Sequence, residues 1–507
     1  MKYPWFSPIG AAAVLVAAGS LFAAEPTREE AQAALRRAAG FFHREVASGN
    51  GYVWRYGADL RLRQGEAVVT PTMAWVQPPG TPAVGDAFLD AYDATGDRFY
   101  LQAARDTAEP LVAGQLVSGG WYYHVELDPA KRGQFRYRID SGRTEPPEQT
   151  VGIDYVGGWD VWKKRQNKRD MTILDDDVTQ SAVRFLTRLD RALESEDQAV
   201  HGAVQYALAS LLVAQYPNGA WSHNYDRFPP KTPDAGHYPV VRATYPESWS
   251  RTWTKDWTGC YMLNDRVTTN AILAMLDAYE AYGDERYLAS AKRGAGFLLL
   301  AQMPDPQPAW AQQYDRHMHP VWDRKFEPPA ITGFESQDVL ETLLAVYRST
   351  GDRKYLKPIP RAIAYLRKSQ LADGRLARFY ELETNRPLYF ERRGKRYDLT
   401  HMSGERLPTH YTFVLESRLD GIEAEYRRLA ALDASQLKTK DKPKRTDELA
   451  SQVRTIIDAL DDRGAWTEPG WVRDEEGRKV HPPSGIIESE TFVENVKMLA
   501  RFVAASQ

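Results

Sequence analysis

A helical unit recurs along this chain, and its recurrence restricts the possible folds more than any other feature. In each of three copies a Gly-Asp pair separates two amphipathic stretches, beginning at Gly96, Gly283 and Gly351. The second stretch ends in every copy at a glutamine that lies 19 residues after the glycine. These glutamines are Gln115, Gln302 and Gln370. Because one helical hairpin cannot bury its own apolar stripe, such hairpins must stack or close into a ring.

A fourth copy is degenerate. It runs from Val178 through Arg191 to Gln215 and closes with Gly219-Ala220-Trp221, much as the first copy closes with Gly119-Gly120-Trp121. Its apolar residues recur at the three-to-four-residue spacing of one helix face. These are Val178, Ala182, Phe185, Leu186, Leu189 and Leu193. The pattern predicts an all-α fold, and we expect function on the loops that join the helices.

The Gly-Asp pairs predict where helices end and begin. Glycine takes the left-handed conformation that commonly follows a helix. The aspartate after it can cap the next helix. Each pair is therefore predicted to form the tip of a hairpin.

The first 24 residues have the pattern of a secretory signal peptide. Lys2 precedes an apolar run from Ile9 to Phe22, and the small residues Ala23 and Ala24 follow it. A membrane anchor is the alternative, but the run is short for a bilayer span of ~20 residues. We therefore expect a secreted or periplasmic protein without a stable membrane anchor.

Residues 25–435 are predicted to form one helical domain, on which residues 436–507 pack as a C-terminal helical segment. The boundary is the polar, basic segment Gln436–Thr446, which lacks apolar periodicity. The hydrophobic content of 43% over 507 residues is ample for a large core. The single cysteine, Cys260, has no partner for an internal disulfide. We expect a monomer.

The charge distribution narrows the choice of ligand. A net charge of −3 argues against a general nucleic-acid binder, which normally has a strongly basic surface. Basic residues are concentrated at Lys163-Lys164-Arg165 and at Arg392-Arg393-Gly394-Lys395-Arg396. Solvated loop charge would explain either cluster alone, but two of them beside motif loops favour an anionic ligand. The high content of 14 Trp and 27 Tyr also fits sugar binding, although most of these rings are expected in the core.

Two stretches place carboxylates at the start of predicted helices. They are Asp175-Asp176-Asp177 and Asn264-Asp265. Helix capping and the helix dipole explain one such carboxylate. Crowding three of them costs repulsion, which a bound cation such as Ca²⁺ would relieve. Capping and a calcium site both remain open on this evidence.

Two further stretches contain arginines on predicted loops. They are Ala309–Asp315 followed by Arg324–Gly333, and Arg378–Pro387 leading to Arg392. Arginine suits bidentate recognition of carboxylates, so the loops have the residues of a clamp for an acidic polymer. Taken singly, an arginine is more often a surface or ion-pair residue.

These stretches together carry a family resemblance. The order is Thr172-x-x-Asp175 with Arg184-Phe185-Leu186, then Asn264-Asp265, then Ala309-Trp310-x-Gln312-Gln313-Tyr314-Asp315, then Arg324-x-Phe326-Glu327-x-Pro329, then Arg378-Phe379-Tyr380-Glu381-Leu382-x-Thr384-Asn385-Arg386-Pro387. In this order the chain resembles the family 10 polysaccharide lyases, which are pectate lyases with an α/α toroid. The resemblance covers residues 175–399. It implies an incomplete barrel of helical hairpins with long functional loops.

The resemblance also implies an activity, namely calcium-dependent β-elimination of pectate or a related acidic uronate polymer. On the matching positions, Asp175 and Asp265 would belong to the Ca²⁺ site and Arg324 would be the catalytic base. Substrate binding would fall to Arg378, Arg392, Arg386, Trp310 and Gln313. A cation and arginine donors on the uronate carboxylate stabilise the enolate-like transition state. An arginine base needs a site that favours its neutral form, because free arginine has a pKa above ~12.

Three other functions compete with a lyase. A glycoside hydrolase on the same kind of scaffold would use two carboxylates. A terpenoid-cyclase-like enzyme has similar Gln-Gly-Trp and Asp-rich strings, but little use for arginines on loops. A non-catalytic carbohydrate-binding protein would hold a polymer without cutting it.

Overall fold

The computed structural model describes residues 25–145, 167–226, 228, 238–253, 261–403, 406–433, 435–437 and 443–506. The predicted signal peptide, the basic cluster at 163–165 and Cys260 lie outside these residues. Within them, the longest and most apolar helices fall short of what a bilayer crossing requires.

Helices account for most of the regular structure in the described residues. They are Arg28–Phe41, Thr81–Thr95, Arg98–Ala113, Arg138–Ser141, Val178–Ala192, Gln198–Ala214, Val267–Tyr282, Glu285–Ala301, Gly333–Thr350, Ile359–Lys368, Leu419–Ala431, Asp447–Asp458 and Ser489–Ala505. A π-helical turn, Phe42–Val46, continues the first. Single 3₁₀ turns occupy Arg132–Gln134, Lys168–Asp170, Asp175–Asp177, Asn264–Arg266 and Arg353–Leu356. The predicted all-α class, with helical hairpins joined by long loops, is confirmed.

Short antiparallel strands join the loops between helices. The strands are Arg55–Gly57, Arg63–Gln64, Met73–Trp75, His124–Glu126, Thr172–Ile173, Asn224–Tyr225, Tyr261–Met262, Gln313–Tyr314, Ala330–Thr332, Leu376–Ala377, Phe379–Glu381, Pro387–Arg393, Arg396–Thr400, Val414–Leu415, Val472–Arg473, Lys479–Val480 and Ile486–Glu488. The largest described sheet has four of them, with Ala330–Thr332, Phe379–Glu381, Pro387–Arg393 and Arg396–Thr400 side by side. These pairings fix the loops relative to the helix ends.

The described residues fall into two compact units. The first contains residues 167–180 and the described parts of 208–437. The second contains residues 25–145, 181–207 and 443–506, so the described C-terminal helices belong with the N-terminal ones. The candidate functional residues described below lie in the first unit.

The predicted hairpins are present, and we number them by their helices. Hairpin 1 is Thr81–Thr95 with Arg98–Ala113, hairpin 2 is Val178–Ala192 with Gln198–Ala214, hairpin 3 is Val267–Tyr282 with Glu285–Ala301, and hairpin 4 is Gly333–Thr350 with Ile359–Lys368. Hairpins 1, 3 and 4 turn at glycines with φ near +70°, as predicted. The following Asp97, Asp284 and Asp352 each accept a hydrogen bond from the backbone N–H two residues later. The Gly-Asp signal therefore marks each tip because both residues meet a local backbone requirement.

The turn at the tip of hairpin 2 differs from the other three, which explains why this copy of the repeat is degenerate in sequence. Its tip has no glycine, and Glu194 and Ser195 take the left-handed conformation instead, with φ of 53° and 59°. Asp197 then caps the second helix by accepting from the N–H groups of Ala199 and Val200. A longer turn thus replaces the Gly-Asp pair.

The repeated glutamines are structural brackets. Gln115, Gln215, Gln302 and Gln370 each donate through Nε2 to the main chain of the loop that follows. The first three also donate to a carbonyl of the second helix of the next hairpin or of the turn before it. The glutamines of the Gln-Gly-Trp strings therefore have a structural role.

We expect Gln215→Ala to lower the free energy of unfolding by about 1–3 kcal/mol, because it leaves buried carbonyls without a donor. Gln215 Nε2 donates to the carbonyls of Gly219 (2.9 Å) and Ser290 (3.0 Å), and its Oε1 accepts from Arg293 at 2.6 Å. Urea unfolding measures the change. The matched control is Gln370→Ala, at the equivalent but half-buried position of hairpin 4, and equal losses in both variants would contradict the bracket interpretation.

Candidate functional site

Two loops of the first unit have the same backbone, and each leads into the first helix of a hairpin. Thr172–Ile173 pairs with Asn224–Tyr225 before hairpin 2, and Tyr261–Met262 pairs with Gln313–Tyr314 before hairpin 3. After the first strand, Leu174 and Asp175 donate their N–H groups to the His223 carbonyl at 2.7 and 3.0 Å. After the second, Leu263 and Asn264 donate theirs to the Gln312 carbonyl, both at 2.8 Å. The repeat therefore extends beyond the helices into the loops.

The same two loops contain consecutive residues with positive φ. Asp176 has φ 52° and ψ 31°, and Asp265 has φ 48° and ψ 32°. Asp177 and Arg266 follow with φ of 59° and 63°. The structural equivalent of Asp265 is therefore Asp176, whereas Asp175 corresponds to Asn264. Such conformations are costly for residues other than glycine, and they are concentrated at functional sites.

The loops bring Asp175, Asp176 and Asp265 together, and we call these three residues the carboxylate cluster. One carboxylate oxygen from each lies within 4.8 Å of the others. Burial, with the charge of Asp175 added, raises the pKa of Asp265 to about 7, although Arg324 and Arg378 oppose the shift. In the described residues, no side chain caps the helix Val267–Tyr282. Plain capping therefore does not account for Asp265.

Arg324 lies beside the carboxylate cluster in a tight turn. Its Nη2 is 3.6 Å from Asp265 Oδ2. Its Nε donates to Glu327 Oε2 at 2.6 Å, and Nη2 donates to the other oxygen of the same carboxylate. Burial disfavours the charged guanidinium, but the Glu327 carboxylate outweighs burial and raises the pKa of Arg324. The guanidinium is held in its protonated form.

Glu327 is the buried partner that holds Arg324. It is completely inaccessible to solvent, and it also accepts a hydrogen bond from the Tyr411 hydroxyl at 2.8 Å. Burial alone would raise the pKa of this carboxyl, but Arg324 outweighs burial and lowers it. The predicted role of Arg324 as a base remains a prediction, and it requires a route by which the guanidinium can lose a proton.

Arg378 also lies against Tyr411. Its guanidinium carbon is 4.3 Å from the centre of the Tyr411 ring and its Nη2 is 3.2 Å from Glu335 Oε1. The corresponding distance from Arg324 to the same ring is 5.7 Å. We call Arg324 and Arg378 the arginine pair. The predicted residues Asp175, Asp265, Arg324 and Arg378 are thus neighbours, although they come from four separate stretches of the chain.

Two predicted substrate-binding residues face away from this group. Trp310 is fully buried and donates through Nε1 to the carbonyl of Leu298 at 2.8 Å, so it anchors hairpin 3. Gln313 is buried and donates to the carbonyl of Val321. Both side chains are engaged in hydrogen bonds within the fold, and their role in substrate binding remains a prediction.

The adjacent Gln312 takes the place that we had predicted for Gln313. Successive side chains of a strand point to opposite faces, so a shift of one residue exchanges the two faces. Gln312 Nε2 is 2.9 Å from Asn264 Oδ1, 3.1 Å from Glu335 Oε1 and 3.0 Å from the Tyr411 hydroxyl. It links the loop of the carboxylate cluster to the arginine pair.

Arg386 and Arg392 lie on the surface. Arg386 is exposed at the end of a turn, and Arg392 is exposed on the hairpin of strands Pro387–Arg393 and Arg396–Thr400. Arg392 donates to the carbonyl of Gly394 and lies opposite Tyr397, whose ring packs on Phe326. Both arginines are accessible, and their role in substrate binding remains a prediction.

His223 and Asp323 extend the site, and the motifs did not single them out as site residues. His223 Nε2 is 3.7 Å from Asp175 Oδ1 and 4.0 Å from Asp323 Oδ2. Burial, with the charge of Glu327 added, raises the pKa of Asp323 to about 7. Asn264 Nδ2 donates to Asp323 at 3.3 Å. The His223 carbonyl also occupies the position in its loop that the Gln312 carbonyl occupies in the other loop.

The arrangement combines crowded carboxylates with two guanidinium groups around one tyrosine. Carboxylate oxygens are the ligands that Ca²⁺ prefers. Guanidinium groups suit the carboxylate of an acidic sugar. The site therefore has the chemistry to hold a cation and an anionic ligand together.

The sequence matches no protein-family model, and a comparison with curated proteins gave no match. Among solved structures, the chain is similar to the family 10 polysaccharide lyase from Cellvibrio cellulosa, at 17% identity over 69% of this chain and 97% of that chain, with a TM-score of 0.41. It is also similar to a D-mannose isomerase, at 13% identity over 94% of this chain and 97% of that chain, with a TM-score of 0.46. The α-1,6-mannanase GH76A from Salegentibacter sp. HEL1_6 is 11% identical over 94% of this chain and 98% of that chain, with a TM-score of 0.40. All three are named for a carbohydrate, and the three likenesses do not distinguish among their reactions.

Proposed function

We propose that the protein is a secreted or periplasmic polysaccharide lyase that cleaves pectate or a related acidic uronate polymer by calcium-assisted β-elimination. The proposal rests on one observation, the position of the carboxylate cluster directly beside the arginine pair. Elimination requires removal of the proton next to a carboxylate, where a second negative charge develops. Positive groups on that carboxylate lower the barrier.

The residues present fit a calcium ion. The carboxylate cluster offers hard oxygen ligands close enough to share one ion, and burial together with the charge of Asp175 raises the pKa of Asp265. Calcium takes six to eight oxygen ligands, so a uronate carboxylate can complete the set. When bound, the ion would act as a Lewis acid on the substrate carboxylate.

Arg378 would bind the same substrate carboxylate. Arg378 is buried and held by Glu335 and Tyr411, so little side-chain freedom is lost when it binds a ligand. Each donor aimed at the developing charge contributes about 3 kcal/mol to transition-state stabilisation. Tyr411 lies near both guanidinium groups, and Gln312 donates a hydrogen bond to its hydroxyl.

Glu327 offers a route for the proton on Arg324. Arg324 would accept the substrate proton at one nitrogen while a proton bound to its other donor nitrogen moves to the Glu327 carboxylate. The guanidinium keeps its charge and Glu327 becomes neutral. The hydrogen bonds from Arg324 Nε and Nη2 to Glu327 provide the path for this proton, and the transfer has to overcome the lowered pKa of the Glu327 carboxyl.

The test is a panel of uronate polymers at alkaline pH, with calcium and with a chelator. β-Elimination creates an unsaturated end that absorbs ultraviolet light, whereas hydrolysis does not. We expect absorbance to rise with calcium and to stop with the chelator. Reducing ends without the absorbance would indicate a hydrolase, and binding without either would indicate a carbohydrate-binding protein.

A further inference from the structure

A second feature lies next to the proposed reaction centre, in the loop Thr244–Trp253. Two indole groups fasten this loop to the turn that carries Arg324. Trp322 Nε1 donates to the Ser250 carbonyl at 2.8 Å, and Trp253 Nε1 donates to the Asp323 carbonyl at 2.9 Å. The loop therefore runs alongside residues 322–324 and is fixed to them at two points.

The loop and the turn Leu382–Glu383 enclose a cavity of about 220 Å³ in the described part of the first unit. Its wall includes Tyr245, Glu247, Trp249, Arg251, Leu382 and Glu383. Glu383 follows the strand Phe379–Glu381, which begins directly after Arg378. The cavity wall is therefore close in the chain to Arg378, and its loop is hydrogen-bonded to Trp322 and Asp323, the two residues before Arg324.

Hydrogen bonds hold both sides of the cavity wall in place. Gln307 accepts the N–H of Glu383 at 2.6 Å and donates to the carbonyl of Glu381 at 3.0 Å. Glu383 has a φ of 66°, which is uncommon for a residue with a side chain. The Tyr245 hydroxyl donates to the carbonyl of Pro304 at 3.2 Å and lies 3.4 Å from Gln307 Oε1. One buried glutamine therefore supports both sides of the cavity.

The charge of the cavity is opposite to that of the arginine pair. Arg251 forms a direct ion pair with Glu381, so its positive charge is already compensated. Its guanidinium also lies 4.3 Å from the centre of the Trp249 ring. The remaining charged groups of the wall are the carboxylates of Glu247 and Glu383. They would repel a uronate but accept hydrogen bonds from sugar hydroxyls.

We propose that this cavity binds a neutral sugar unit of the polymer, and therefore that the substrate combines uronates with neutral sugars. The inference rests on the proposed function. The volume lies below the ~300 Å³ at which typical ligand pockets begin, so the cavity suits one sugar ring rather than an oligosaccharide. Aromatic side chains beside carboxylates provide the apolar and polar contacts that an uncharged sugar requires.

The first test compares two polymers, with unsaturated ends as the readout. One is polygalacturonate, in which every unit is charged, and the other is the rhamnogalacturonan backbone, in which galacturonate alternates with neutral rhamnose. We expect kcat/KM to be at least about tenfold higher for the alternating polymer, which corresponds to about 1.4 kcal/mol. Equal or better cleavage of polygalacturonate would overturn the inference and leave the proposed function intact.

The second test changes the charge of the wall without removing its packing. Glu247→Lys and the double variant Glu247→Lys/Glu383→Lys should shift the preference toward polygalacturonate by about tenfold, mainly through KM. Glu425→Lys is the matched control, because Glu425 lies on the helix Leu419–Ala431 and pairs with Arg428. An unchanged preference in the double variant would contradict the inference.

A binding measurement separates the two proposals if neither polymer is cleaved. Calorimetry with oligosaccharides of both polymers is then run on the wild type and on Trp249→Ala. Preferential binding of the alternating oligosaccharide that Trp249→Ala abolishes would support the cavity and reject the lyase. Absence of that preference would reject both.

Discussion

Arg324→Lys is expected to lower kcat by about 10²–10³-fold while KM changes little, because the change removes the donors that act on the transition state. Lysine keeps the positive charge beside the buried Glu327, so the fold should survive. Arg324→Ala is less informative, since a buried carboxylate without its partner costs about 3–5 kcal/mol of stability. Initial rates measured by ultraviolet absorbance, together with thermal unfolding, separate the two effects.

Glu327→Gln provides the matched variant for this prediction. Glutamine retains the shape and can still accept a hydrogen bond from Arg324, but it does not take up a proton at neutral pH. If Glu327 receives the proton from Arg324, kcat should fall by at least about 10²-fold, a typical contribution of acid–base catalysis. Activity near that of the wild type would show that Glu327 only positions Arg324, and unchanged activity of Arg324→Lys would remove Arg324 from the chemistry.

Asp265→Asn is expected to abolish the stabilisation of the protein by calcium and, in the presence of chelator, to raise its stability. The carboxylate cluster crowds three acidic groups, and burial together with Asp175 raises the pKa of Asp265 to about 7. Removing that charge should therefore stabilise the chelated protein by at least about 1 kcal/mol, since one pKa unit corresponds to about 1.4 kcal/mol. In contrast, a cation that binds only the folded state raises the melting temperature of the wild type as its concentration increases.

Thermal unfolding across a calcium titration measures both parts of this prediction. Asp462→Asn, an exposed aspartate of the second unit, is the control and should leave both quantities unchanged. A chelated Asp265→Asn protein that is less stable than the wild type, with an undiminished response to calcium, would show that Asp265 has a structural role instead. Turnover by Asp265→Asn at the wild-type rate would contradict its place in the site.

The hairpins could be predicted because their signals are local. A Gly-Asp pair specifies a left-handed residue and a cap within two positions, whatever the rest of the chain does. This prediction is confirmed at Gly96, Gly283 and Gly351. The tip of hairpin 2 has no Gly-Asp pair, and Glu194 and Ser195 take the left-handed conformation there. The repeated glutamines were visible in the sequence, but their function as brackets between hairpins was not.

Within the candidate site, the residues that could be predicted are those that belong to a sequence motif. Asp175, Asp265, Arg324 and Arg378 were chosen from motifs, and the structure brings them together. His223 belongs to none of these motifs, and its position beside Asp175 could not be predicted from them. Tyr411 lies outside every motif, although it touches both members of the arginine pair.

The sequence by itself determined the helical class, the positions of the hairpin tips and the carboxylates and arginines that occupy the loops. Each depends on periodicity or on the conformational preference of one or two adjacent residues. The tertiary structure decided which side chains face the site. Gln312, directly before the strand Gln313–Tyr314, donates to Asn264, whereas Gln313 donates to the carbonyl of Val321. The tertiary structure also places Arg324 against Glu327. The pKa of Arg324 depends on the balance between burial and this ion pair, which only the folded surroundings set.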